Sequence, residues 1–186
     1  MSISFQQIHQ ISIDAAWYTQ PFKGFCLDSR KLEAGQIFIA LNSYSQPEKT
    51  RLFAENALNA GALAVISETD LGLANEWVCP EVRYLMGEWQ KQYLQAVDPV
   101  TALRGIAVTG TNGKTTISRL IAELISSQGQ GCAVMGTTGN GILPNLTPST
   151  HTTLDALQLQ NALHDYAQQG AKFVALEASS HGLEQG

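Results

Sequence analysis

Positive charge is what this sequence has least of: 11 lysines and arginines stand against 16 aspartates and glutamates, a net charge of −5. Without an overall positive field the chain is expected to partner neither nucleic acid nor a membrane surface, so any anion must be gripped locally. Cysteine is scarce as well. Cys26, Cys79 and Cys132 are widely separated and lack metal-ligand spacing, which points to reduced thiols in small core positions and to a cytoplasmic protein. Long hydrophobic runs are missing, and the opening Met-Ser-Ile-Ser-Phe-Gln-Gln has neither the basic start nor the apolar stretch of a secretion signal. Repeats and low-complexity tracts are also lacking. What is present is an ordinary globular composition, 44% hydrophobic over 186 residues.

Against that background one segment carries chemistry. Residues 106–116 read Ile-Ala-Val-Thr-Gly-Thr-Asn-Gly-Lys-Thr-Thr, an apolar strand breaking into a glycine turn that opens a helix. Gly110 and Gly113 allow a tight fold with backbone N–H groups turned inward, and the helix adds its positive N-terminal end, so Gly110, Thr111, Asn112, Gly113, Lys114, Thr115 and Thr116 read as a phosphate-binding loop. Lys114 can reach outer phosphates and the Thr115 hydroxyl can hold magnesium. The general pattern has a glycine five positions before Gly113, where this chain has Val108; the loop is the variant G-T-N-G-K-T-T. Ile106 to Val108 form a buried-strand run, and Ile117, Leu120, Ile121, Leu124 and Ile125 recur at helical spacing until Gly129 and Gly131.

The rest of the chain predicts an α/β protein of two domains. The first, 1–98, has a short opening helix around Phe5 to Ile11, a strand leaving into a polar turn over Gly24 to Arg30, a strand at Gln36 to Leu41, and a helix from Glu48 to Ala60. A strand at Ala62 to Ser67, another at Trp77 to Val82 and a helix from Tyr84 to Ala96 complete it. Val97-Asp98-Pro99-Val100 reads as the linker. The second, 99–186, continues from the phosphate loop through a strand at Cys132 to Gly136, a polar stretch from Thr137 to Thr153, a helix from Leu154 to Gln169 with Asp155 in its first turn, and an apolar strand from Lys172 to Ala178. Alternating strands and helices imply a parallel sheet with ligands beyond its carboxyl ends. Three β/α steps are fewer than such sheets carry, about five strands or more, so the chain reads as the front portion of a longer protein.

Glu177, near the end of its strand, is expected to face the crevice of Lys114 and to join Thr115 as a magnesium ligand. His181 is no partner for Ser179 or Ser180 in a nucleophile-and-base pair, because neighbours on an extended strand point to opposite faces; it reads as a polar ligand near the metal or as a structural histidine. The hydroxyl-rich loop with Thr137, Thr138, Asn140, Thr147, Ser149, Thr150, His151, Thr152 and Thr153 is either a solvated loop or a substrate contact. Asp28-Ser29-Arg30 could bind a nucleotide or sugar, but taken alone reads as a turn with a surface ion pair. Trp17, Tyr18, Phe22 and Phe25 read as core.

With these residues together, the chain resembles the Mur ligases, which build the peptide of bacterial cell-wall precursors, most closely those of the MurE type. The likeness rests on G-T-N-G-K-T-T at 110–116, on Asp28-Ser29-Arg30 with Gly35 to Ala40, on Val134 to Gly141, and above all on Glu177-Ala-Ser-Ser-His-Gly-Leu183. It implies a first domain holding the uridine diphosphate end of UDP-N-acetylmuramoyl-L-alanyl-D-glutamate, with Leu27 and Ser29 near uracil and ribose and Tyr44, Ser45 and Gln46 by the diphosphate. That last stretch departs from the family's glycine, histidine and Asp-Gly pattern. In the second domain it implies ATP on residues 110–116, magnesium on Thr115 and Glu177, substrate on Thr152, Thr153, Ser179 and Gln185, and assistance from His181 in the metal region. His151 stands where relatives often have asparagine.

The implied reaction passes the ATP γ-phosphoryl to the D-glutamyl carboxylate, and the amine of a diamino acid then attacks the acyl phosphate. Lys114, Glu177 and His181 are the catalytic set, and a monomer suffices. Diaminopimelate is favoured over lysine by overall likeness alone. Relatives carry a carbamylated lysine, an adenine contact and an amino-acid-selecting domain beyond residue 186, so this chain by itself is expected to bind the UDP-substrate, to be impaired in ATP binding and to stop short of ligation. The competing readings are another Mur ligase or a folylpolyglutamate synthetase, and a non-catalytic nucleotide-binding module.

Overall fold

Short, apolar strands between glycine turns form two separate sheets, one in each half of the chain. The structure, a computed structural model, describes residues 2–9, 13–43, 46–148 and 154–178. By its contacts the chain divides into two units, Met1–Asp98 and Pro99–Gly186.

In the first unit, β1 (Ile3–Ser4) pairs antiparallel with β2 (Pro21–Phe22). The main sheet has β3 (Phe25–Cys26), β4 (Ile37–Ala40), β5 (Ala64–Ser67) and β6 (Glu76–Val78) in sequential order, all parallel. Every residue of β4 and β5 is buried, as expected for a parallel sheet covered on both faces. Helix α1 (Pro47–Asn59), started by proline in its first turn, packs Ala54 and Ala57 on Phe38, Ala40 and Val65. Helix α2 (Val82–Val97) buries Val82, Met86, Trp89 and Gln90.

Phe5, fully buried, anchors an aromatic cluster. Trp17, Tyr18, Phe22, Phe25 of β3, Trp77 of β6 and Trp89 of α2 all lie with ring centroids between 5.1 and 6.2 Å from it. Trp17, Tyr18, Phe22 and Phe25 are core, as read from the sequence, and Trp89 is buried with them. The opening helix expected from Phe5 is a single 3-10 turn, Phe5–Gln7, closed by the Ser4 N–H donating to Gln7 Oε1 at 2.9 Å. In a 3-10 turn residues three apart eclipse, which brings Phe5 and Ile8 to the same buried side; residues 10–12 lie outside the described set. Over Gly24 to Arg30 a strand leaves into a polar turn as expected: β3 ends at Cys26 and the turn at Asp28 follows.

The second unit comprises β7 (Arg104–Val108), α3 (Lys114–Ser127), β8 (Cys132–Gly136), β9 (Gly139–Ile142), α4 (Ala156–Gln168) and β10 (Phe173–Glu177). Its sheet runs β7-β10-β8-β9, with β10 parallel to both neighbours and β9 antiparallel to β8. The antiparallel β9 departs from the all-parallel expectation and falls inside what reads as a polar stretch. Gly-Asn-Gly-Ile offers no apolar alternation; backbone bonds hold it, including Asn140 to Thr147 in both directions at 2.9 Å. Asp155 is the N-cap of α4 rather than a first-turn residue, accepting the Gln158 N–H at 2.8 Å, an interaction worth ~1 kcal/mol.

Two burial expectations fail. β7 is an edge strand, so Gly105 and Ala107 are exposed and only Val108 is buried. Helix α3 meets the sheet through Ser118, Ile121, Ala122 and Ile125, leaving Ile117, Leu120 and Leu124 about half exposed or more. Small Ser118 and Ala122 let the helix approach closely, rotating the larger residues outward.

All three tryptophans lie in the first unit, so tryptophan fluorescence reports on it alone. Phe5→Ala should destabilise that unit by roughly 3–5 kcal/mol, read as an early urea transition in fluorescence.

Candidate functional site

The carboxyl end of β7 leads into the glycine loop, where Gly113 is the N-cap of α3 with φ of 80°. A side chain there would strain the left-handed backbone, and the geometry sets Ile117 N–H on the Gly113 carbonyl at 2.9 Å. Lys114 begins α3 and donates from Nζ to the Gly110 carbonyl at 2.7 Å, which holds the ammonium across the loop. Thr115 follows with its hydroxyl on the sheet side.

Glu177 is the last residue of β10 and pairs in register with Val108, the last residue of β7. That register puts its carboxylate against the first turn of α3. Thr115 donates its hydroxyl to Glu177 Oε2 at 3.0 Å, Thr137 donates its N–H to Oε1 at 3.0 Å, and the Thr137 hydroxyl lies 3.2 Å from Oε1 and 2.8 Å from the Thr115 hydroxyl. Space for the carboxylate comes from Gly136, where a Cβ would stand 2.0 Å from Oε1. The Gly136 N–H is held by Asn140 Oδ1 at 3.0 Å.

Three oxygen-bearing side chains therefore converge beside Lys114 at the start of α3. A carboxylate with hydroxyls suits a hard cation such as magnesium, which takes few protein oxygens and completes its shell with water and phosphate. Among the described residues no group of three or more His, Cys, Asp or Glu side chains is placed to hold a metal, so a carboxylate-rich or soft-metal centre has no counterpart there. Sequence reasoning put Thr137 in the hydroxyl-rich loop as a possible substrate contact; the structure makes it the partner of Glu177. The signal available in the sequence was its place directly after a strand that ends in glycine.

In the first unit the carboxyl ends of the parallel strands gather Leu27 to Arg30, the loop after Ala40, and Glu68 onward. Leu27 and Ser29, both half-buried, sit in the turn leaving β3. Asp28 shapes that turn: Oδ1 accepts the Arg30 N–H at 3.1 Å and Nε at 2.9 Å, Oδ2 accepts Nη2 at 2.8 Å, and its carbonyl takes the Lys31 N–H. The Arg30 side chain, then its backbone N–H, pull the Asp28 carboxyl down to about 2. Arg30 itself is a surface residue, so this motif is the turn and ion pair read from it. Gln46 donates its N–H to Ser43 Oγ at 3.2 Å just before α1. Tyr44, Ser45, Thr152, Thr153, Ser179, His181 and Gln185 lie outside the described residues, as do Ser149, Thr150 and His151.

Cys79 and Cys132 are buried and Cys26 is half-exposed, its thiol donating to the Asp28 carbonyl at 3.2 Å; none of the three is in a disulfide. Burial pushes the Cys79 and Cys132 thiols up, away from nucleophilic use. Among the described residues no helix is long and apolar enough to cross a membrane.

Comparison with known proteins places residues 108–186 in the Mur ligase middle domain. Over 170 residues the chain is 41% identical to the UDP-N-acetylmuramoyl-L-alanyl-D-glutamate--2,6-diaminopimelate ligase of Vibrio cholerae serotype O1, covering 86% of this chain and 33% of that protein. The ligase of the same name from Haemophilus influenzae strain 86-028NP is 40% identical over 167 residues, covering 86% and 34%. A solved structure of a ligase of this name is 80% identical, covers all of this chain and 38% of its own, and superposes with a TM-score of 0.96. The MurF ligase of Thermotoga maritima, solved with ADP, shares the fold at 19% identity and a TM-score of 0.55, over 85% of this chain and 32% of its own. The chain thus spans about a third of the length of the relatives it matches.

Two outcomes test this geometry. Gly136→Ala should drive Glu177 off Thr115 and Thr137, and the Thr137 amide should then exchange with deuterium roughly tenfold faster, as a hydrogen bond to a charged acceptor is lost. Asp28 should titrate near 2 by carbon NMR. Because its folded value is depressed, its contribution to stability is full above the ordinary aspartate range and fades as pH falls toward 2; Arg30→Met, which keeps the backbone N–H, should move the midpoint only part of the way back toward that range.

Proposed function

This chain belongs to the Mur ligase family, and on that premise we propose that it is part of an ATP-dependent ligase of peptidoglycan precursor synthesis. The proposed reaction adds a diamino acid, diaminopimelate by likeness to the named relatives, to UDP-N-acetylmuramoyl-L-alanyl-D-glutamate. The observation that carries this reading is the Glu177 carboxylate, brought by β10 onto Thr115 in the first turn behind the G-T-N-G-K-T-T loop.

In this reading residues 110–116 bind the nucleotide phosphates through backbone N–H groups and Lys114, whose ammonium leaves the Gly110 carbonyl for the outer phosphate oxygens. Thr115 and Glu177 hold magnesium, with Thr137 fixing the carboxylate. Magnesium, when bound, offsets charge on the phosphate oxygens. Lys114 and the loop stabilise the charge that develops as the phosphoryl group passes to the γ-carboxylate of the substrate. An acyl phosphate results, and attack by the incoming amine yields the amide and inorganic phosphate, with no protein nucleophile. The first unit, 1–98, holds the UDP end, with Leu27 and Ser29 at uracil and ribose and Tyr44, Ser45 and Gln46 at the diphosphate. Thr152, Thr153, Ser179 and Gln185 contact the muramoyl dipeptide, and His181 serves the metal region. The working place is the cytoplasm, where both nucleotides are made.

Calorimetric titration with UDP-N-acetylmuramoyl-L-alanyl-D-glutamate should show binding by this chain, weakened by Ser29→Ala about two- to tenfold, the worth of one neutral hydrogen bond. A folded sample that leaves the nucleotide sugar unbound contradicts the assignment of the first unit. ATP with magnesium is the corresponding probe of the second unit, and Lys114→Ala should lower whatever affinity the wild type has. Slow ATP hydrolysis indifferent to the UDP-substrate would instead favour a non-catalytic nucleotide module.

A further inference from the structure

The end of the second sheet opposite Glu177 carries a cavity of about 490 Å³, within the size range of small-molecule sites. It lies at the amino ends of β7 and β10; Phe173, in its wall, is the first residue of β10 and Glu177 is the last. Four steps along a strand separate it from the carboxylate site by roughly 13 Å. Ala102, Ala167, Ala171 and Phe173 give it apolar walls, and Arg104 and Lys172 bring charge to it. Among the described residues no aspartate or glutamate lines it.

Residues 99–186 contain four lysines and arginines: Arg104, Lys114, Arg119 and Lys172. Lys114 spans the glycine loop, and Arg119 pairs with Glu123 at 2.9 Å. The other two meet at one cavity, in a chain whose net charge is −5. Among the described residues neither of them is in an ion pair. The Arg104 guanidinium lies over the Phe173 ring, 5.8 Å from its centre, a cation–π contact that orients the group and leaves its N–H donors uncommitted. Two cations could simply complement the carbonyl ends of α3 and α4, which finish here. Those carbonyls are already met by backbone: Ile125 accepts from Gln128 and Gln130, Ser126 from Gly129, Tyr166 from Ala171 and Ala167 from Gly170.

We propose that this cavity is a second anion site, remote from the glycine loop, which takes an organic phosphate monoester. The phosphate, with a charge of about −1.5 to −2 near neutral pH, is balanced by the two cations, and Arg104 can meet it with paired N–H groups. The apolar body of the ligand lies against Phe173 and the alanines. The site does not depend on the function proposed for residues 110–116.

NMR titration of the full chain with 1-naphthyl phosphate tests this, with inorganic phosphate and 1-naphthol as partial probes. The amides of Gln130, Ala171 and Phe173 should shift saturably, with a Kd below about 1 mM. At those amides inorganic phosphate and 1-naphthol should each bind at least roughly tenfold more weakly, since each fills half of the site. Arg104→Gln and Lys172→Gln should each raise the Kd for 1-naphthyl phosphate roughly tenfold, the loss of a charge-assisted hydrogen bond. Lys172→Arg keeps the charge and should stay within about threefold of wild type, and Arg119→Gln, away from the cavity, within about twofold. Shifts confined to residues 110–116 assign the phosphate to the glycine loop and overturn the proposal. So do shifts that rise linearly without saturation, and a Kd that both glutamine variants leave unchanged. Equal affinity for inorganic phosphate overturns the assigned ligand class.

Discussion

The parallel pairing of β10 with β7 is the constraint on which the second unit depends. Parallel strands deliver their carboxyl ends to one edge, and a register that matches Glu177 to Val108 puts a carboxylate beside the point where the glycine loop departs. A shift of one residue would turn Glu177 to the other face of the sheet. The backbone bonds of the ladder, and not any contact among the site residues, choose which oxygen atoms meet. Gly136 on β8 completes the arrangement, since the third strand must end without a side chain for the carboxylate to lie across it.

The same rule organises the first unit with different materials. Its four parallel strands are very short, two to four residues, and cannot carry a wide apolar face, so an aromatic cluster around Phe5 supplies much of the buried surface. Charge pairs then order the loops at the carboxyl edge. Asp28 with Arg30 is an exposed pair whose geometry shapes a turn, and exposed pairs add ~0–1 kcal/mol. Glu68 with Arg83 is further withdrawn from water, and each also bonds the Asn42 backbone.

Both units thus place polar groups at the carboxyl ends of a parallel sheet, the location where open α/β sheets take ligands. One does so with a lysine, a carboxylate and a glycine loop suited to a nucleotide triphosphate and its cation, the other with loops ordered by ion pairs. The ligase reaction proposed above would need both kinds of site, one for the phosphoryl donor and one to hold the acceptor.

What the sequence by itself determined is local. Glycine spacing marked the turn that opens α3, apolar runs located β4, β5, β8 and β10, and the helices α1, α2 and α4 followed from periodicity, because each signal is written in adjacent residues. The strand β9 was hidden because Gly139 to Ile142 carry no apolar alternation, and the outward face of α3 because periodicity gives an apolar stripe without saying which half small residues will draw inward. Tertiary structure alone decided that Thr137 would hold Glu177, 40 residues away, and that Glu68 and Arg83 would meet on Asn42. Those contacts depend on strand order and register, which arise from long-range backbone pairing and leave no mark on the residues between.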